Sequence, residues 1–248
     1  MLAGKVALIT GGGQGVGRGI ALALAARGAK IALIGRTPAK LEAVAAQIGE
    51  DAACFPADVK DAAAAVAAVD AVAAHFGGID ILVNNAQEVP LGPLLAVEDA
   101  AFEAGFASGP LASFRLMKAC HPYLRARGGG TIINLATSAA VRWDMANYGA
   151  YAAVKQATRA LTRAAAAEWG PHGIRVLTIA PHANSPGLKG WIEQNPEEAE
   201  AFFHTIPLRR VGDCEEDIGR AVAALCGPDF AYLTGATIPL DGGQANFD

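Results

Sequence analysis

The sequence predicts one doubly wound α/β domain, with a central parallel β-sheet and helices on both faces. Seven short apolar runs, several rich in β-branched residues, at 6–10, 31–34, 52–56, 79–83, 131–135, 175–179 and 237–239, alternate with long alanine-rich stretches of helical character. Strands separated by helix-length segments pair in parallel through crossovers. A cluster of glycines follows the first run directly, where a sheet of this kind turns into its first helix. No internal repeat, low-complexity linker or block of charge interrupts the 248 residues, so the chain reads as a single domain.

Along the chain, the first run ends in Thr10-Gly11-Gly12-Gly13-Gln14-Gly15-Val16-Gly17, with a helix expected from about Arg18. After the second run, Thr37 stands as a helix cap before Pro38, which suits a first helical position. A third helix is expected from near Asp61 to the stop at Gly77-Gly78. A helix over 102–114 would be interrupted at Gly109-Pro110, because a proline has no N–H for the carbonyl of Phe106. The segment 146–169 is expected as one helix. The segment from Pro181 to Val211 breaks the rhythm with Pro181, Pro186, Pro196, Pro207 and the aromatics Trp191, Phe202 and Phe203. An insert of this length after a late strand is where a substrate lid is expected, over 182–211.

Composition excludes several classes. Apolar residues make up 52% of the chain, yet no run approaches the roughly 18–20 residues of a membrane span. The N-terminal Met1-Leu2-Ala3-Gly4-Lys5 lacks the pattern of a signal peptide, and the chain is expected to be cytoplasmic. A formal charge of -4 leaves no basic footprint for nucleic acid. The four cysteines, Cys54, Cys120, Cys214 and Cys226, form no C-x-x-C pair, and the five histidines have no ligand spacing, so no metal is expected.

The residues that carry chemistry stand beyond the expected carboxyl ends of strands, where such folds bind ligands. In the Rossmann-type arrangement, a glycine turn brings backbone N–H groups and a helix N-terminus close to a pyrophosphate. Tyr151 and Lys155 are four residues apart and share a helix face. An ammonium near a phenol favours phenolate, which would lower the tyrosine pKa toward neutrality for proton exchange. Ser138, thirteen residues before Tyr151, is placed to hold a substrate oxygen.

This ordered set resembles the short-chain dehydrogenase/reductase family and its 3-oxoacyl-ACP reductase-like branch. Thr10, Gly11, Gly15 and Gly17 match the family's T-G-x-x-x-G-x-G turn, and the likeness continues through Asp58-Val59, Asn84-Asn85-Ala86, Ser138 and Tyr151-x-x-x-Lys155 to Asp241-Gly242-Gly243. The resemblance implies hydride transfer between a nicotinamide cofactor and a small carbonyl or alcohol substrate. It makes Tyr151 the general acid/base, Lys155 the group that lowers its pKa and binds the nicotinamide ribose, and Ser138 the carbonyl-orienting residue. It assigns the cofactor to Gly11, Gln14, Gly15, Val16, Gly17, Arg36, Asp58, Val59, Asn85, Ala86, Tyr151, Lys155 and Pro181, and it implies a homotetramer or dimer. The three-residue gap between Tyr151 and Lys155 resembles the carbonyl and alcohol enzymes rather than the enoyl-reducing branch.

The acidic residue expected after the second strand for the ribose of NAD is missing, and Arg36 takes its neighbourhood. A guanidinium there suits the 2′-phosphate, so NADP(H) is expected over NAD(H). Four features depart from the family pattern, one being that the downstream threonine that holds the nicotinamide amide has no equivalent near Ser185-Pro186. Gln87 replaces the glycine after Asn84-Asn85-Ala86, His182 replaces the glycine after Pro181, and Gly109 stands where the family has a helix asparagine. The competing reading is therefore a catalytically weakened cofactor-binding protein acting as sensor or partner subunit. Candidate substrate-wall residues are Gln87, Glu88, Arg142, Trp143, Met145, Tyr148, His182, Trp191 and Phe202.

Overall fold

The structure is a computed structural model that describes residues 2–141 and 146–245. Its strands are β1 (Val6–Thr10), β2 (Lys30–Gly35), β3 (Ala52–Pro56), β4 (Ile81–Asn84), β5 (Gly130–Leu135), β6 (Ile174–Pro181) and β7 (Thr237–Leu240). They form one parallel sheet in the order β3-β2-β1-β4-β5-β6-β7. The helices between them are α1 (Gly15–Ala25), α2 (Pro38–Ile48), α3 (Ala62–Phe76), α4 (Asp99–Phe106), α5 (Ala112–Ala126), α6 (Gly149–Trp169), α7 (Pro186–Gln194), α8 (Pro196–Thr205) and α9 (Arg220–Leu225).

Strand side chains alternate between two cores, which makes the sheet doubly wound. Ile9, Leu33, Val83, Ile133 and Leu177 point to one face and pack with Ile20, Leu24, Leu41 and Val222 of α1, α2 and α9. Leu8, Ile34, Leu82, Ile132 and Val176 point to the other, against Val69, Leu116, Met117 and Ala165 of α3, α5 and α6. Buried on both faces, the inner strands read as mainly apolar runs. The strand order reverses at β1, which has β2 on one side and β4 on the other. Ligands of such sheets bind outside the carboxyl ends of the strands at this switch point.

The amino ends of β1 and β4 are tied by Asp80, which is buried. It accepts from Lys5 Nζ at 2.9 Å, the Val6 N–H at 2.9 Å and Arg127 Nη2 at 3.0 Å. Burial alone would raise the Asp80 carboxyl. The Val6 N–H, Lys5 and Arg127 outweigh it and hold the group below the usual carboxylate range. Deeper in the sheet, Asn84 donates to Asn134 at 2.8 Å, Asn134 to Thr162 at 2.9 Å and Thr178 to Thr162 at 2.8 Å. This polar chain fixes β4, β5 and β6 to α6, the helix that carries Tyr151 and Lys155.

Several boundaries differ from the expectation for identifiable reasons. Helix α1 starts at Gly15 rather than near Arg18, so the last glycines of the turn lie within its first turn. Helix α6 starts at Gly149, three residues after the expected Ala146. Thr37 occupies the cap position of α2 without a side-chain hydrogen bond, whereas Asp61 caps α3 by accepting from the N–H groups of Ala63 and Ala64. Gly77 ends that helix as expected. The irregular stretch after β6 contains α7 and α8, and its prolines Pro186 and Pro196 occupy the first positions of those helices.

Around Pro110 the chain bends without breaking. Residues Ala107–Leu111 form a π-helical segment between α4 and α5. In that register a carbonyl pairs with the N–H five residues on, so the helix continues past Pro110 into α5 instead of ending there. Two carbonyls just upstream are served by side chains. Ser108 Oγ donates to the Ala104 carbonyl at 2.7 Å, and Gln87 Nε2 donates to that of Gly105 at 2.9 Å.

Candidate active site and cofactor cleft

A cleft of about 600 Å³ opens over the carboxyl ends of β1, β2, β4 and β5, within the size range of cofactor sites. Its wall contains Gly11, Gln14, Gly15, Val16, Arg36, Asp58, Val59, Asn85, Ala86, Tyr151, Lys155 and Pro181. Of the residues expected at the site, only Gly17 and Ser138 are missing from that wall.

The glycine turn is built to let backbone approach the cleft. Gly11 and Gly15 have φ of 65° and 54°, a region that side-chain-bearing residues rarely adopt. Gly17 acts one layer behind the wall. A Cβ there would lie 2.3 Å from the Gly11 carbonyl oxygen, so only glycine lets α1 pack this closely on the turn. Asn85 and Thr10 hold the turn from below. The Asn85 amide donates to the carbonyls of Thr10 and Gly11 at 2.9 and 3.1 Å, and Thr10 Oγ1 accepts the N–H groups of Asn85 and Ala86 at 3.0 Å each. The N-terminus of α1, which opens from this turn, suits a pyrophosphate.

At the outer end of the cleft, Arg36 lies among Lys40, Lys60, Asp58 and Glu88. Arg36 Nη1 is 3.0 Å from Glu88 Oε1 and 3.9 Å from Asp58 Oδ2, and Lys60 Nζ is 2.8 Å from the same Glu88 oxygen. Lys40 donates to Gln14 Oε1 at 2.6 Å. Lys40 is a second cation, beside Arg36, at this end of the cleft wall that the sequence reading missed. A lysine in the first turn of an expected helix beside the glycine turn was the available signal.

At the inner end, Tyr151 and Lys155 emerge from α6. Thr137 lies in the cleft wall with Tyr151, and its side chain acts to lower the Tyr151 pKa. Ser138 does not occupy the expected place. It is buried and donates to Asp241 Oδ2 just after β7. The physical reason is a shift of one residue. Strand β5 ends at Leu135 and Ser138 opens a short 3-10 helix (Ser138–Val141) that turns its hydroxyl to Asp241, while Thr137 stays in the cleft wall. Counting back from Tyr151 could not reveal this.

The electrostatics also differ from the expectation. Burial pushes the Tyr151 phenol up to about 12; the Thr137 hydrogen bond opposes the rise and Tyr148 adds to it. Burial pushes the Lys155 ammonium down to about 7. Lys155 Nζ donates to the Leu135 carbonyl at 2.7 Å and lies 5.6 Å from the centroid of the Tyr151 ring. Desolvation therefore outweighs the mutual effect that the spacing suggested.

Two of the departures from the family pattern meet in space. Gln87 Nε2 donates to the carbonyls of Glu88 and Gly105 at 2.7 and 2.9 Å. A Cβ built on Gly109 would lie 2.4 Å from Gln87 Oε1 and 2.9 Å from Val154 Cγ1. The Gln87 side chain thus fills the space that a side chain at position 109 would need, next to Val154 and one residue from Lys155.

Among the other wall candidates, Glu88 and His182 line the cleft, while Tyr148, Trp191 and Phe202 do not. Phe202 packs edge-on to His182 at 5.3 Å and to Trp191 at 6.0 Å. Arg142, Trp143 and Met145 lie outside the described residues. Ser185, Pro186 and Gly187, at the start of α7, close the cleft beside the glycine turn. Among the described residues no three His, Cys, Asp or Glu converge as metal ligands do, and no helix is long and apolar enough to cross a membrane.

Comparison with known proteins places this geometry. A family model described as Enoyl-(Acyl carrier protein) reductase matches residues 11–245. The chain is 39% identical over 252 residues to 12alpha-hydroxysteroid dehydrogenase of Clostridium sp., covering 97% of this chain and 96% of that one. It is 38% identical to D-threitol dehydrogenase of Mycolicibacterium smegmatis, covering 98% and 93%. The crystal structure of 3-ketoacyl-(acyl-carrier-protein) reductase from Brucella melitensis, complexed with NADH, superposes with a TM-score of 0.91 at 31% identity, covering 99% of this chain and all of that one. With relatives matched end to end and the same fold throughout, the chain belongs to the short-chain dehydrogenase/reductase family and is an oxidoreductase.

Proposed function

We propose that this chain interconverts a ketone or aldehyde and an alcohol with NADP(H), and that Tyr151 is its general acid/base. The observation that carries the reading is that Tyr151, Thr137 and Lys155 line one cleft together with the glycine turn. The nicotinamide, when bound, supplies or takes the hydride. Every other role falls to the chain itself.

In the direction of reduction, a phenol held at about 12 is fully protonated near neutral pH and can donate to a carbonyl oxygen. Thr137 orients that oxygen in place of Ser138, whose hydroxyl is committed to Asp241. Lys155 spends one N–H on Leu135, and its ammonium has two more for a ribose diol. The glycine turn, Val16, Asp58, Val59, Asn85, Ala86 and Pro181 hold the dinucleotide, and Arg36 with Lys40 meets the 2′-phosphate. A guanidinium and an ammonium at that end, with no carboxylate directly after β2, favour NADP(H). The curated relatives named above are dehydrogenases of alcohols, which favours C=O chemistry over enoyl reduction.

The segment 182–211, with α7 and α8, serves as the substrate lid of a single-domain, cytoplasmic enzyme. Exposed Leu94, Leu95, Phe102, Leu111 and Phe114 supply apolar surface for a homo-oligomer, a tetramer or dimer. NADPH oxidation with a panel of neutral ketones tests the reading. Tyr151→Phe should retain NADPH binding and lose turnover by roughly 10²- to 10⁴-fold, and Thr137→Val should lose far more turnover than Ser138→Ala. Full activity of Tyr151→Phe, or the reverse order of the two hydroxyl variants, overturns the assignment. NADPH binding without turnover on any ketone would favour the cofactor-binding relative.

A further inference from the structure

Glu88 stands in the cleft wall, and no role in the chemistry above uses it. We propose that its carboxylate is a built-in occupant of the anion site at the outer end of the cleft, and that a bound 2′-phosphate must displace it. The proposal rests on the NADP(H) reading of Arg36 and goes beyond it by naming what competes for that arginine.

The topology makes the contact a bridge across the cleft. Arg36 follows β2 and Glu88 lies on the loop after β4, with β1 between them in the sheet. An ion pair joining those two loops therefore passes over the carboxyl end of β1, where the glycine turn cradles the dinucleotide. One oxygen, Glu88 Oε1, takes both Arg36 Nη1 at 3.0 Å and Lys60 Nζ at 2.8 Å. Asp58 is the more distant partner of Arg36 at 3.9 Å. A monoanion thus sits between two cations at the end of the cleft assigned to the 2′-phosphate.

The same carboxylate is placed to let go. The Glu88 N–H donates to Ser108 Oγ at 2.9 Å, and its carbonyl accepts from Gln87 Nε2 at 2.7 Å. Its backbone is pinned on both sides, so opening requires only rotation of the side chain. Arg36 is 61% exposed and Glu88 and Lys60 about a third exposed, and ion pairs in such surroundings are weak. A phosphate brings up to two charges and three acceptor oxygens to the same donors and takes them over. A ligand without the 2′-phosphate offers nothing to trade for the contact. Glu88 on this account lowers affinity for 2′-phosphorylated ligands and sets how steeply the protein discriminates between the two cofactors.

Calorimetric titration of the full chain with adenosine 2′,5′-bisphosphate and with 5′-AMP, neither of which needs a substrate, tests the proposal. Glu88→Gln should tighten the bisphosphate by about 3- to 10-fold at low salt and leave 5′-AMP within about 2-fold. The gain should shrink at high ionic strength and vanish in an Arg36→Ala background. An unchanged or weakened bisphosphate affinity in Glu88→Gln overturns the proposal, as does loss of 5′-AMP binding, which would make Glu88 a ribose ligand. Wild-type protein that binds both probes alike, with no selective loss in Arg36→Ala, overturns the NADP(H) reading itself. A failed Glu88 variant with selective Arg36 behaviour overturns only the displacement.

Discussion

Gly109→Ala is the substitution whose outcome the packing decides most sharply. At an open helix position, replacing glycine by alanine stabilises a protein by roughly 0.5–1 kcal/mol, because glycine has more backbone freedom to lose. Here the added methyl would lie 2.4 Å from Gln87 Oε1, 2.9 Å from Val154 Cγ1 and 3.0 Å from Gln87 Cδ. Such gaps must open, and overpacking of a formed core costs about 1–3 kcal/mol. The sign should therefore reverse, and at this chain length each kcal/mol corresponds to about 2–4 °C in Tm. Gln87→Ala alone removes the donor to Gly105 and Glu88 and should cost about 1–2 kcal/mol. In the Gln87→Ala background the obstructing amide is gone and only Val154 remains close, so Gly109→Ala should lose more than half of its penalty. Urea unfolding of the four proteins in the cycle measures this as a favourable coupling of about 1–2 kcal/mol. Additivity of the two changes, or stabilisation by Gly109→Ala in the wild-type background, would refute the interlock between Gln87 and Gly109.

Two further outcomes follow from the charged groups. The Lys155 ammonium is held at about 7 in the fold, well below its unfolded value of about 10.4, so the unfolded chain binds the extra proton between those limits and stability rises with pH there. The advantage of Lys155→Met over wild type, in unfolding without ligand, should be greatest below about pH 7 and shrink toward pH 10; a constant difference across that range contradicts the burial of Lys155. Asp80 is also depressed in the fold, but there the charged form is favoured, so the group contributes stability where Lys155 carries a penalty: the contribution is present above the unfolded value of about 3.9 and lost as pH falls through the folded one. Asp80→Asn should cost about 1.5–3 kcal/mol at pH 7, with the gap to wild type closing on acidification, and chemical denaturation at pH 7 and pH 3 checks it.

What the sequence made legible follows from what each signal depends on. The seven strands fell within two residues of their places because the inner strands, buried on both faces, are mainly apolar, a signal internal to each run. The glycine turn, Tyr151 and Lys155, singled out by residue type and spacing, line one cleft. The start of α1 was misplaced because glycine signals a turn in general, and here Gly15 and Gly17 lie inside the helix to let it approach Gly11. Helices α7 and α8 were hidden by Pro186 and Pro196, which read as breakers and serve as starters. The choice between Thr137 and Ser138 turns on which way one residue faces at the end of β5, and that depends on Asp241, more than a hundred residues away. No local pattern records such a partner.

The same logic explains why the departures from the family pattern looked like unrelated losses in sequence and form one arrangement in space. Gln87 and Gly109 are twenty-two positions apart, yet the side chain absent at one is supplied by the other. The amide that enters the π-helical turn also donates to the Glu88 carbonyl. Fixing that carbonyl holds the backbone of the residue that faces Arg36 and Lys60. A glycine at position 87 would leave the loop after β4 without this anchor, and the carboxylate at 88 would then be one rotamer among many in a loose segment. The glutamine converts the segment into a fixed support from which a single charged side chain can swing. The loop after β4 therefore joins the inner end of the cleft, beside Lys155, to its outer end, beside Arg36. A change at Gln87 should accordingly be felt in cofactor discrimination as well as in packing around Gly109.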